Sequence, residues 1–232
     1  MNFIRNFCLA AVMLASSAGA HPAKMPEIIA IDVLIEPDAA MLDHAKAMNA
    51  RLVASYPAGY VLDAAHAPHV TIVQRYVRRR DLPAIAKAVA AVIRDEKPHA
   101  LRFTATGYVV GASGDAGIML LGVERSPALA RLHERIVKAV APFHVAGGDS
   151  SAFIRDATGD INMQTIEWVR NFVPKAAGER YFPHVTVGVA QPDLLKGIAN
   201  EPFRPFAFGS THVAIYQLGN FGTAQKRLWA DR

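Results

Sequence analysis

The chain of 232 residues is 52% hydrophobic and 19% charged, with a formal net charge of +5 at pH 7. This composition excludes a disordered or fibrous protein, and it supplies enough apolar residues for one large domain or two small lobes. The small positive charge favours anionic partners without identifying one, and no dense basic stripe or aromatic RNA-binding motif indicates an RNA-binding module.

The N-terminus has the pattern of a secretory signal peptide over residues 1–20. Arg5 precedes a short apolar run, and Ala18-Gly19-Ala20 fits the small-residue cleavage rule, which predicts a cut before His21. A permanent membrane anchor needs roughly 20 apolar residues, and this run is shorter, so an uncleaved anchor is the alternative interpretation. We therefore expect a periplasmic or secreted protein with no membrane anchor after processing.

The only cysteine, Cys8, lies inside the predicted signal peptide. The processed chain would then contain no disulfide, no thiolate nucleophile and no cysteine-ligated metal. We interpret residues 21–26 as a Pro-containing linker and residues 27–232 as a single two-lobed domain.

In chain order, a β-branched strand is followed by a helix, and this strand–helix pattern then repeats with adjacent strand pairs in between. Strands are predicted over 28–37, 69–77, 99–111, 117–125, 184–190, 211–219 and 226–232, and helices over 39–56, 82–97, 128–140 and 162–173. A Gly-rich loop separates the third helix from the fourth. Adjacent strands favour an α+β protein with antiparallel or mixed sheets over a parallel βαβ series.

The tetrapeptide Pro-His-Val-Thr occurs twice, at 68–71 and at 183–186, each time in a predicted strand. Side chains alternate faces along a strand, so His69 and Thr71 share one face, and His184 and Thr186 do the same. The two members of each pair are about 6.6 Å apart along the backbone. An imidazole nitrogen and a hydroxyl can therefore converge on one phosphate group.

Two such strands facing one cleft would provide general acid–base catalysis of phosphodiester cleavage. One neutral histidine would take a proton from water, and the other, protonated, would donate one to the leaving oxygen. Imidazole supplies both forms near neutral pH, so we expect no metal and no cofactor. The alternative interpretation is that both histidines are half-buried strand residues satisfied by their neighbours.

The two motifs, HVTIV at 69–73 and HVTV at 184–187, resemble the two-histidine phosphoesterase superfamily, which includes bacterial 2′-5′ RNA ligase-like proteins and eukaryotic cyclic phosphodiesterases. The preceding Phe182-Pro183 is typical of the second motif, whereas Gly188 departs from the longer residue of many members. The resemblance covers the strand–helix order of the processed chain, but only the two motifs are specific.

The resemblance implies a bilobal α+β fold with two antiparallel sheets lining a central cleft and helices outside. It also implies metal-independent hydrolysis of 2′,3′-cyclic phosphates or 2′-5′ linkages in a nucleotide or RNA end, or ligation by the reverse reaction. The catalytic residues would be His69 and His184, and Thr71 and Thr186 would bind the substrate. The motifs are farther apart than in compact members, and the extra length falls at about 144–175.

The sequence also allows predictions for Arg75 and His133 and leaves a second function as an alternative. By strand alternation Arg75 shares the face of His69 and could contact a phosphate, although a solvated charge is the alternative. His133 is predicted to be an exposed helical residue. We expect a monomeric enzyme; the alternative is a non-catalytic periplasmic protein that binds a phosphorylated or nucleotide ligand in the same cleft.

Overall fold

The computed structural model describes residues 27–113, 116–155 and 159–231. These ranges contain strands β1 (Ile28–Pro37), β2 (Val70–Arg78), β3 (Phe103–Ser113), β4 (Ala116–Val123), β5 (His184–Ala190), β6 (Phe206–Phe208), β7 (Ser210–Leu218) and β8 (Ala224–Ala230). They also contain helices α1 (Ala39–Ser55), α2 (Leu82–Glu96), α3 (Pro127–Val140), α4 (Met163–Ala176) and α5 (Pro192–Ala199). The predicted elements are confirmed to within a few residues, except that α5 and β6 were not predicted.

The predicted signal peptide and linker, residues 1–20 and 21–26, lie outside the described residues. Within the part of the chain that is described, no helix is long and apolar enough to cross a membrane.

Side-chain caps fix where two of the helices begin. The Ser126 hydroxyl accepts a hydrogen bond from the backbone N–H of Leu129, and the Asn162 side chain accepts one from the N–H of Thr165. Each cap satisfies an N–H group that has no partner within its helix. The caps position α3 and α4, both of which contact β2.

The described strands form one antiparallel sheet in the order β6-β3-β4-β5-β2-β1-β7-β8. The predicted α+β class is confirmed, but the prediction of two separate sheets is not. The halves β6-β3-β4-β5 and β2-β1-β7-β8 are connected by a single residue pair, Val70 with Val185. The sheet is therefore continuous at a narrow seam in its middle.

The seam is narrow because β2 and β5 overlap only near their first residues. Both strands begin at the repeated motif and run away from it in opposite directions, β2 towards Arg78 and β5 towards Ala190. Beyond the overlap, β5 pairs with β4 and β2 pairs with β1. The repeated tetrapeptide thus marks the place where the halves of the sheet meet.

The two faces of the sheet are covered by different parts of the chain. Alternate residues of β1, including Ile31 and Val33, belong to the large core with the apolar sides of α1, α2, α3 and α5. On the other face, Ala30 of β1 and Tyr76 of β2 pack against Val169 of α4 and the segment before it. The 144–175 region, noted in the sequence as extra length, therefore covers one end of the second face.

Candidate active site

The two motifs lie side by side at the seam. Val70 and Val185 are antiparallel partners, so the register continued by one residue places His69 opposite Thr186 and Thr71 opposite His184. Residues directly opposite in an antiparallel pair project from the same face, about 5 Å apart at Cβ. The structure therefore brings the four predicted residues together on one face.

Both imidazoles are held in the same orientation by the backbone. His69 Nδ1 lies 2.7 Å from the carbonyl oxygen of Ala67, and His184 Nδ1 lies 2.8 Å from that of Phe182. A carbonyl can only accept, so Nδ1–H is the donor in each ring. Nε2 of each histidine is then the nitrogen available for proton transfer.

Asp32 supports the first motif from β1, and sequence reasoning missed it. Its side chain is fully buried, and Oδ2 accepts hydrogen bonds from the Thr71 hydroxyl at 2.6 Å and from Gln74 Nε2 at 3.0 Å. His69 Nε2 lies 3.6 Å from the same oxygen, an ion-pair distance too long for a hydrogen bond. The Nε2 proton of His69 is thus near a negative charge without being donated to it.

The two histidines have pKa values shifted in opposite directions. Burial lowers the pKa of His69, but the Asp32 carboxylate, the Ala67 carbonyl and Glu36 all raise it, so this pKa is raised overall. Burial lowers the pKa of His184, and the charge of His69 lowers it further. His69 therefore favours the protonated form and His184 the neutral form, which are the states of an acid and a base.

The two threonines are not equivalent. The single hydroxyl proton of Thr71 is donated to Asp32, so the Thr71 oxygen presents only acceptor lone pairs outwards. The Thr186 hydroxyl is partly exposed and makes no side-chain hydrogen bond with a described residue. Thr186 is therefore the free hydroxyl donor of the site.

Two buried side chains satisfy the backbone of β2 where β5 diverges from it. The Tyr181 hydroxyl donates to the Thr71 carbonyl at 2.9 Å, and His133 Nδ1 donates to the Ile72 carbonyl at 2.8 Å. The rings of Tyr181 and His133 are stacked 3.8 Å apart. The prediction that His133 is exposed is wrong, since His133 is fully buried and its Nε2 accepts from the N–H of Gly178.

Arg75 does not lie on the face of His69 and Thr71 as predicted. Thr71 pairs with Leu34 and Val73 pairs with Val33, so β2 contains one extra residue at this point. Such a bulge reverses the alternation of the residues that follow. Gln74, opposite Asp32, therefore takes the face of Thr71, and Arg75 points to the other side of the strand.

The aromatic ring before the second motif flanks the site. Phe182 is 45% exposed, and its ring is stacked on that of His184 with 5.4 Å between centroids. An exposed aromatic ring provides a flat apolar surface beside the reactive imidazole. In the described ranges, no group of three or more His, Cys, Asp or Glu side chains is arranged to hold a metal ion.

Comparison with known families gives one match: the model of a family described as the 2′-5′ RNA ligase superfamily matches residues 42–219, which include both motifs. Comparison with curated protein sequences gives no match. Three crystal structures of E. coli LigT are similar to this chain at low identity. They are the complex with phosphate (15% identity, TM-score 0.39), the complex with 3′-AMP (14%, 0.41) and the apo form (14%, 0.40), each covering 88% of this chain and 98% of LigT.

Proposed function

Because the chain belongs to the 2′-5′ RNA ligase superfamily, we propose that it is a metal-independent phosphoesterase that hydrolyses a 2′,3′-cyclic phosphate or a 2′-5′ phosphodiester bond. The substrate would be a nucleotide or an RNA end. The observation that carries this proposal is the pairing of the two His-x-Thr motifs at the seam, which places both imidazoles on one face of the sheet. The opposite directions of their pKa shifts agree with it.

In this reaction His184 acts as the general base and His69 as the general acid. Neutral His184 takes a proton from water at Nε2 while the water oxygen attacks phosphorus. Protonated His69 gives its Nε2 proton to the departing ester oxygen, so that the P–O bond breaks without releasing an alkoxide. The protein is left with one neutral and one protonated histidine in exchanged roles, and proton exchange with solvent restores the starting state.

The remaining side chains of the site orient the substrate. The Thr186 hydroxyl is free to donate to a non-bridging phosphate oxygen, a contact that strengthens as negative charge develops there. Phe182 offers its exposed ring to the base of a nucleotide, since stacking of a base on an aromatic side chain contributes about 1–3 kcal/mol. Phe182 comes shortly before His184 in the sequence, and Thr186 belongs to the same motif as His184.

The second candidate function is a non-catalytic protein that binds a phosphorylated ligand in the same place. A binding site for an anion gains from two protonated imidazoles. Here burial and the charge of His69 both lower the pKa of His184, which opposes a second positive charge. That asymmetry favours proton transfer over simple binding.

Incubation of the purified protein with a nucleoside 2′,3′-cyclic phosphate in the presence of EDTA tests the enzymatic proposal. We expect turnover to a single phosphomonoester, unaffected by the chelator, because the imidazoles supply both the acid and the base. Chromatography of the products identifies which ester bond is cut. Binding of the substrate without turnover would instead support the second candidate function.

We also propose that the protein is exported and processed, on the basis of the sequence of residues 1–20. N-terminal sequencing of the protein isolated from the cell envelope or medium should give a chain that begins at His21. A variant with Ala18 and Ala20 replaced by bulky residues should accumulate unprocessed. Recovery of the full-length wild-type chain from the cytoplasm would overturn this proposal.

A further inference from the structure

A cavity of about 240 Å³ lies on the open edge of β2, under α4. Polar side chains come from β2 and from the segment after α3, and α4 supplies one further arginine and an apolar wall. The lining residues are Gln74, Arg75, His144, Val169, Arg170, Val173 and Pro174. The cavity is smaller than a pocket for a whole drug-sized ligand but has room for about eight waters or one substituent group.

Arg75 is a buried cation that has no counter-charge among the residues that the structure describes. The residue is only 8% exposed, its Nε is buried without a hydrogen-bond partner, and the guanidinium makes no hydrogen bond with a described residue. Burial lowers the pKa of Arg75, in agreement with this lack of compensation. A buried charge is costly unless it is paired, and even a buried ion pair can often be replaced by apolar residues without loss of stability.

The other polar groups of the cavity do not supply a negative charge. His144 and Arg170 add basic nitrogens, and no carboxylate is among the lining residues. None of the ion pairs between described residues includes Arg75 or Arg170. We propose that this cavity binds a phosphate group, held by the planar guanidinium of Arg75 with Arg170 at the opening.

The cavity is connected to the catalytic motif through Gln74. Gln74 lines the cavity and also donates to Asp32, which contacts both Thr71 and His69. The bound phosphate could come from two sources, a second phosphate group on the substrate or a free phosphate ion. A phosphate group supplied by the substrate rests on the proposed function, whereas binding of a phosphate group in the cavity does not.

The direct test measures phosphate binding by thermal unfolding in a His69→Ala/His184→Ala background, which removes the catalytic imidazoles. Arg75→Met keeps the aliphatic length of the side chain and removes the charge. The matched control is Arg94→Met, a change of an exposed arginine on α2. Inorganic phosphate should raise the Tm of the parent and of the control by a few degrees, and that of Arg75→Met by much less.

Two further readouts make the result specific to the cavity. In phosphate-free buffer Arg75→Met should unfold at the same temperature as the parent or higher, because it removes an unpaired buried charge. NMR signals of the His144 ring should move saturably with phosphate in the control but not in Arg75→Met. Arg170→Met, an exposed change at the cavity mouth, should weaken the same response without altering the core.

Equal phosphate-dependent shifts in the Arg75→Met and Arg94→Met proteins would overturn the proposal. The source of the phosphate is decided in the catalytically intact protein, with nucleoside 2′,3′-cyclic phosphates that carry or lack a 5′-phosphate. If the substrate supplies it, Arg75→Met raises KM at least tenfold for the 5′-phosphorylated compound alone. If a free ion supplies it, both KM values stay unchanged while the Tm response is still lost.

Discussion

Replacement of either His69 or His184 by alanine should lower kcat by about 10²- to 10⁴-fold, because each supplies the acid or the base of one concerted proton transfer. The double replacement should cost little more than a single one, since groups that act as a unit are not additive. His99→Ala is the matched control: His99 is a surface histidine paired with Asp231. Full activity of the His69→Ala protein would contradict the two-histidine mechanism.

The two alanine variants should differ when the leaving group changes. On a substrate with an acidic leaving group, such as a 4-nitrophenyl ester, the leaving group departs without being protonated, so the general acid is not needed. The decrease in kcat caused by His69→Ala should therefore be smaller on this substrate, while the decrease caused by His184→Ala should stay the same. Equal rescue of both variants would reject the assignment of acid and base.

Asp32→Asn should lower kcat about 10- to 100-fold at neutral pH, which is the size of the loss when the carboxylate partner of a metal-bound histidine is removed. In the wild type, activity is lost as pH falls through the lowered pKa of His184 and as it rises through the raised pKa of His69. Without the carboxylate the pKa of His69 drops. The basic limb of the pH–rate curve should then move to lower pH, while the acidic limb moves much less.

The pH profile separates this role of Asp32 from a purely structural one. Asparagine keeps a carbonyl oxygen that can accept from Thr71 and Gln74, so the local hydrogen bonds can persist. In Asp32→Glu, which retains the negative charge, the basic limb should lie at a higher pH than in Asp32→Asn. A uniform loss of activity at every pH, with both limbs in place, would contradict electrostatic tuning of His69.

The four motif residues could be predicted from the sequence because a repeated His-x-Thr in strands fixes their faces by local geometry alone. Asp32 could not be predicted in this way, since its partners Thr71 and Gln74 lie 39 and 42 residues away along the chain. The signal available was one carboxylate inside the apolar run IIAIDVLIEP, where an unpaired buried charge would be costly.

Local alternation along a strand or helix does not predict a side chain's position where tertiary pairing overrides it. The extra residue in β2 that turns Arg75 away from His69 depends on the register with β1, which a single strand does not encode. The sequence predicts an exposed His133 in a helix, yet His133 is the buried partner of two backbone groups. The two expected sheets are one because Val70 and Val185 happen to pair.

Because the half-sheets are joined by that single residue pair, the distance between the two catalytic motifs depends on how the half-sheets are oriented. The two histidines and the two threonines lie next to the pair Val70–Val185 that joins the half-sheets, so a change in the angle between the half-sheets would change the distance between the two motifs. A phosphate bound by both motifs would therefore bridge the two half-sheets and hold them at one angle. Conversely, a remote substitution that changes the angle between the halves would reduce the rate of reaction before it lowers the melting temperature.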